Sequence, residues 1–123
     1  MRDRLVRGPS PKLTVASLNL GTGEATQHEL TVEAEFPRID PRSVGLRHGY
    51  VIHAANALVR LPKQSAIAST NVESGASQVF SYGSHSVVEE HVFAPDGRGP
   101  GGVLGTVFDY VQKKTVLSCF RGR

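Results

Sequence analysis

Apolar residues along this chain recur in short runs, alternating or continuous, rather than at every third or fourth position, and the runs are rich in Val, Thr, Phe and Tyr. Gly, Pro, Asn and Asp bound them, which is the punctuation of strands and turns rather than of helices. The pattern predicts an all-β chain with strands over 12–20, 24–32, 46–56, 65–72, 76–82, 88–94, 102–110 and 114–120. Thirteen Gly and seven Pro fit the turns that so many strands require.

One pattern repeats. Ala16-Ser-Leu-Asn-Leu-Gly-Thr-Gly23 is echoed 52 residues later by Ala68-Ser-Thr-Asn-Val-Glu-Ser-Gly75, and both read as strand, Asn-containing turn with Gly, strand. A hairpin recurring at roughly 40–50 residues is what four-stranded propeller blades produce, although two hairpins can also resemble each other by chance. Eight strands then make about two blades. Two blades do not close a ring, so each is expected to leave an apolar flank and an unpaired edge, and the chain to be poorly stable or to self-associate.

Composition narrows the classes. A length of 123 residues, 39% hydrophobic and 20% charged, describes one globular domain rather than a disordered segment. Residues 1–11 read as a tail and 12–123 as the domain. The net charge of +3 invites a nucleic-acid reading, but the basic residues are scattered and no aromatic stacking pattern lies between them, so nucleic-acid binding is not expected. A single cysteine, Cys119, excludes an internal disulfide and is expected to be a buried, inert thiol. The amino terminus lacks the apolar stretch of a signal peptide and no apolar run is long enough to span a bilayer, which makes a cytoplasmic location the default expectation.

Two segments could carry chemistry. In Glu35-Phe-Pro-Arg-Ile-Asp-Pro-Arg-Ser-Val-Gly-Leu-Arg-His-Gly-Tyr50, prolines and a glycine fix a rigid, irregular entry into the next strand, able to aim Glu35. From spacing alone Glu35 is better read as a solvated carboxylate beside Glu33. In Val88-Glu-Glu-His-Val-Phe-Ala-Pro95, alternation puts Val88, Glu90 and Val92 on one face and Glu89, His91 and Phe93 on the other. Glu90 is then expected to be a carboxylate on an apolar face, which must be hydrogen-bonded or paired. A glycosidase-like acid and base pair is the alternative for Glu35 and Glu90, and requires carboxyls about 5–10 Å apart across a cleft. Gly97-Arg-Gly-Pro-Gly-Gly102 has no following helix to bind phosphate and reads as a flexible surface loop.

Glu35-Phe-Pro-Arg-Ile-Asp-Pro41, continued by Val44-Gly45, Arg47-His48 and Tyr50-Val51, resembles a stretch of the carotenoid oxygenases, and Glu89-Glu-His-Val-Phe-Ala-Pro95 resembles another, in its lignostilbene-type form. Ala66-Ile-Ala-Ser-Thr-Asn-Val-Glu-Ser-Gly75, Gly105-Thr-Val-Phe-Asp-Tyr110 and Thr115-Val-Leu-Ser118 follow in matching order. The resemblance implies a seven-bladed propeller with Fe(II) on its axis, held by four histidines. Glu35 and Glu90 match glutamates that orient such histidines. A carboxylate accepting the far ring N–H fixes an imidazole's tautomer and aim. It further implies a polyene or stilbene substrate cleaved with O2, and peripheral membrane contact.

The departures matter as much. His28, His48, His53, His85 and His91 match no ligand position, so the iron ligands and any catalytic residue are expected to lie outside this chain. Val88 and Glu89 stand where many relatives carry Gly-Gly, and Gly49 where a basic residue is common. The leading expectation is therefore a piece of an Fe(II) dioxygenase, inactive alone. The competing one, from another class, is a noncatalytic β-domain or decayed remnant that uses its open edges as a protein-interaction module.

Overall fold

A computed structural model describes residues 11–47, 49–56 and 64–121 of the chain. Residues 1–10 of the expected tail and His48 lie outside them. Nine strands follow in order among the described residues: β1 (Lys12–Leu18), β2 (Ala25–Glu33), β3 (Glu35–Arg38), β4 (Tyr50–Ala55), β5 (Ala66–Asn71), β6 (Ser77–Ser81), β7 (Ser86–Ala94), β8 (Gly102–Asp109) and β9 (Lys114–Arg121). A single turn of 3-10 helix, Pro41–Ser43, interrupts the run between β3 and β4. All sequential neighbours within a sheet pair antiparallel, giving a two-stranded sheet (β1-β2), a complete four-stranded one (β3-β4-β5-β6) and a three-stranded one (β7-β8-β9). The expectation of about two blades is met as one whole blade flanked by parts of two others.

The sequence pattern missed β3. Its Pro37 argued for an irregular entry, but β3 is the edge of its sheet, where a missing N–H costs no ladder bond. Phe36 takes φ +52° and the pairing slips from Glu35↔Ala54 to Arg38↔Ile52, so β3 carries one extra residue, a bulge. Leu46, Arg47 and Gly49, expected to open the next strand, do not; β4 begins at Tyr50.

Strand β4 is buried along Val51–Ala55, so both its faces are covered and the core lies between the sheets rather than inside one. On one face Val51 packs with Leu13, Leu30 and Ala34, tying the first sheet to the second. On the other, Ala54 packs with Val88 and Val107, tying the second to the third, with Tyr82 against them. Backbone bonds reinforce this seam: Val88 N–H donates to Gln64 O at 2.7 Å and Tyr82 N–H to Ser65 O at 3.0 Å.

The repeated hairpin turn is real and has a third copy. Asn19 Oδ1 accepts the backbone N–H groups of Gly21 and Thr22, and Asn71 Oδ1 those of Glu73 and Ser74, while Gly23 and Gly75 close each turn at φ +73°. Asp109 Oδ1 does the same for Val111 and Gln112, with Lys113 at φ +52° where the other two have glycine. The side-chain oxygen satisfies donors that the tight turn leaves without ladder partners.

Candidate functional site at the seam between sheets

The two segments singled out in the sequence meet. Strand β3 packs against β7, and Arg38 donates from Nε to Glu90 Oε1 at 2.6 Å and from Nη2 to the same oxygen. The bulge in β3 makes this possible. Glu35 and Arg38 are three apart and would alternate to opposite faces, yet they pair with Ala54 and Ile52, which share one face of β4. That face is the one carrying Ala54 into the seam, so Glu35 and Arg38 both border β7. Glu35 itself is half-buried.

Strand β7 carries a bulge of its own, and it overturns the expected phase of Glu90. Pairing runs Val88↔Val107 and then His91↔Gly105, so one extra residue sits at Glu89-Glu90. Val88 and His91, rather than Val88, Glu90 and Val92, point into the core at 2% and 3% exposure. Glu90 is exposed and neutralised by Arg38 instead of lying on an apolar face, and Val92 is exposed as well. Glu89 accepts from the Thr106 hydroxyl at the surface.

His91, expected on the face opposite Val88, is buried with it beneath the seam. Its Nδ1 lies 3.0 Å from Glu89 O and its Nε2 3.5 Å from the Tyr82 hydroxyl, which also bonds Ser118 Oγ. Burial pushes the Tyr82 phenol above its ordinary range, with the Ser118 bond opposing. Phe80 and Phe120 close edge-to-face at 5.2 Å, so an aromatic cluster from β6, β7 and β9 staples the second and third sheets together. Gly105 is required beneath it, because a Cβ there would occupy the imidazole of His91.

Elsewhere, His53 on β4 is buried against β5. Its Nε2 is 2.8 Å from Thr70 Oγ1 and its Nδ1 3.1 Å from Ala54 O, and burial pushes its pKa below the ordinary 6.5. Arg42, within the 3-10 turn, chelates Asp40, lowering the pKa of that carboxyl, and donates to the carbonyls of Gly99 and Pro100. The glycine-rich loop is therefore fastened at its middle by Arg42. Cys119, expected to be buried, is exposed on β9, whose outward positions nothing described covers.

Among the described residues no three of His, Cys, Asp and Glu lie close enough together to hold a metal ion. Nor is any helix of the described chain long and apolar enough to cross a membrane.

An open set of antiparallel sheets, one of four strands flanked by one of two and one of three and packed face to face, defines a piece of a β-propeller, with the carboxylate-bearing strands β3 and β7 side by side. The particular kind follows from comparison. The sequence profile of the RPE65 family, retinal pigment epithelial membrane protein, matches residues 2–123, and the chain belongs to this carotenoid oxygenase family. A direct search of curated protein sequences finds no match. Among solved structures, cobalt-substituted apocarotenoid oxygenase (ACO) of Synechocystis matches 89% of the chain at 22% identity with a TM-score of 0.79. An ACO/RPE65 chimera matches 90% at 19% identity with a TM-score of 0.80. The chain spans 24% and 25% of the lengths of these two. The fold is thereby fixed as all-β and propeller-type.

Proposed function

We propose that this chain is a segment of a non-haem Fe(II) dioxygenase that cleaves a conjugated C=C bond of a carotenoid, apocarotenoid or stilbene, O2 supplying one oxygen atom to each of two carbonyl products. Within it Glu35 and Glu90 orient histidines that hold the iron, and the segment alone is inactive. The observation that carries this reading is the meeting of the two motif segments on the first strands of adjacent sheets, coupled through Arg38 and Glu90. In a propeller the first strand of each blade lines the axis, where a central ion would sit. When bound, the iron supplies the activation of dioxygen. What this chain contributes is acceptor oxygens beside that axis, which is the chemistry a metal-bound imidazole needs on its far nitrogen. Lacking a ligand set among its described residues, the chain supports a centre that other blades complete.

The test is a graft. Residues 12–121 replace the matching quarter of Synechocystis apocarotenoid oxygenase, and the folded chimera is assayed for iron content and for cleavage of an apocarotenoid. Iron should be retained, and Glu35→Gln or Glu90→Gln should each lower iron occupancy or turnover roughly 10–100-fold. A folded chimera whose iron and rate ignore both changes sinks the assignment. The isolated chain should bind no stoichiometric Fe(II); tight one-to-one binding would contradict the placement of the ligands elsewhere.

A further inference from the structure

We infer that Arg38 is a positioning residue, which pins one oxygen of Glu90 so that the other is presented to an N–H donor from a neighbouring blade. Both guanidinium nitrogens that reach Glu90 converge on Oε1. Among the described residues Oε2 has no hydrogen-bond partner. Side-on pairing, with one nitrogen to each oxygen, would engage both oxygens and leave neither wholly available to another donor. The end-on grip does the opposite: it neutralises the charge, fixes the carboxylate plane and keeps one oxygen available.

The backbone is shaped for this grip. One bulge turns Arg38 onto the face of β3 that borders β7, and the other, at Glu89-Glu90, takes Glu90 out of the core and toward β3. Without either extra residue the two side chains would not meet. Phe36 is held at φ +52° to form the first bulge, a conformation non-glycine residues rarely adopt. The inference rests on the reading that Glu90 supports a metal-bound histidine and adds the residue that aims it.

The experiment compares Arg38→Gln, Arg38→Lys, Glu90→Gln and the Arg38→Gln/Glu90→Gln double variant in a complete propeller carrying this segment, by anaerobic Fe(II) titration, the ligand-field spectrum of the bound iron and kcat against KM. Arg38→Gln should weaken Fe(II) binding roughly 10–100-fold and shift the spectrum as Glu90→Gln does, and the double variant should be no worse than either single one. Arg38→Lys keeps the charge but cannot bring two nitrogens to one oxygen, so it should shift the spectrum even if it folds better than Arg38→Gln. Wild-type iron affinity and spectrum in both Arg38 variants, with Glu90→Gln impaired, overturns the role of Arg38 and leaves that of Glu90 standing. Wild-type behaviour in Glu90→Gln as well removes the reading beneath it.

Discussion

Lys113 holds φ +52° in a turn that its two sister turns close with glycine at φ +73°. An L-residue there brings its Cβ against the carbonyl, a cost of about 1–2 kcal/mol that glycine avoids, less the extra freedom glycine gains when unfolded. Lys113→Gly should therefore raise the unfolding free energy by about 0.5–1 kcal/mol, visible as a higher urea midpoint at unchanged slope. An unchanged or lower midpoint would mean that the turn does not constrain this position. His53 makes the opposite kind of residue-level statement. Its buried ring donates from Nδ1 to Ala54 O, and in the neutral form Nε2 accepts from the Thr70 hydroxyl. Burial lowers its folded pKa below 6.5, so the unfolded chain takes the proton first as pH falls. The contribution of neutral His53 is intact above about pH 6.5 and is lost below it, down to the folded pKa, at up to about 1.4 kcal/mol per pH unit. Urea unfolding at about pH 7.5 and about pH 5.5 should show this loss in the wild type and a flatter dependence in His53→Gln.

At the level of strands, everything distinctive about the candidate site comes from two bulges. Pleat alternation along 88–94 puts Glu90 on the apolar face with Val88 and His91 on the opposite one; one extra residue at Glu89-Glu90 exchanges them. That extra residue has no signature in the pattern of apolar positions, because a bulge is visible only against the partner strand. In β3 a hint did exist, since a proline inside a strand-like run marks an edge or a bulge. Nothing in the sequence singles out Arg38, three positions after Glu35, because simple alternation sends it to the opposite face. Eight of the nine strands and the Asn-Gly turns were legible because they depend on local chemistry. The third turn was hidden because Asp109 and Lys113 replace both of its marker residues. His91 now explains a glycine the sequence left unremarked. Its ring lies where a side chain on Gly105 would be, and both atoms belong to paired strands that cannot separate easily. Gly105→Ala should destabilise by about 1–3 kcal/mol through overpacking. Combined with His91→Ala it should cost less than the sum of the two single changes, a coupling that a double-mutant cycle measures directly. Additive losses would show that the ring can step aside.

For the whole molecule the decisive quantity is surface. The chain presents 9221 Å² to solvent, against roughly 6,400 Å² for a compact protein of its mass. Part of the excess is apolar, with Leu20, Val44, Leu46 and Leu117 each more than two-thirds exposed. In a complete propeller neighbouring blades would cover such faces; here nothing described does. A net charge of +3 offers little repulsion to keep copies apart. The manner of association can be argued from the strand ends. Among the described residues β9 pairs only with β8, so its other edge is open, and it begins at Lys114 and ends at Arg121. Two copies of β9 laid antiparallel in register would set Lys114 against Arg121, a like-charge contact that disfavours a closed two-fold dimer. Strand β2, also open at one edge, follows Glu24 and contains Glu29 and Glu33. Pairing β9 of one copy with β2 of the next matches basic ends to acidic ones and leaves each added copy with the same two edges to offer. Such contacts do not close, so sedimentation of the isolated chain should show species that grow continuously with concentration rather than a discrete dimer. Raising salt should shorten them by screening the strand-end charges, and Leu117→Lys, which puts a charge into the most exposed apolar position of β9, should shorten them at any salt. A single sharp monomer at high micromolar concentration would show that the open faces find cover within one chain.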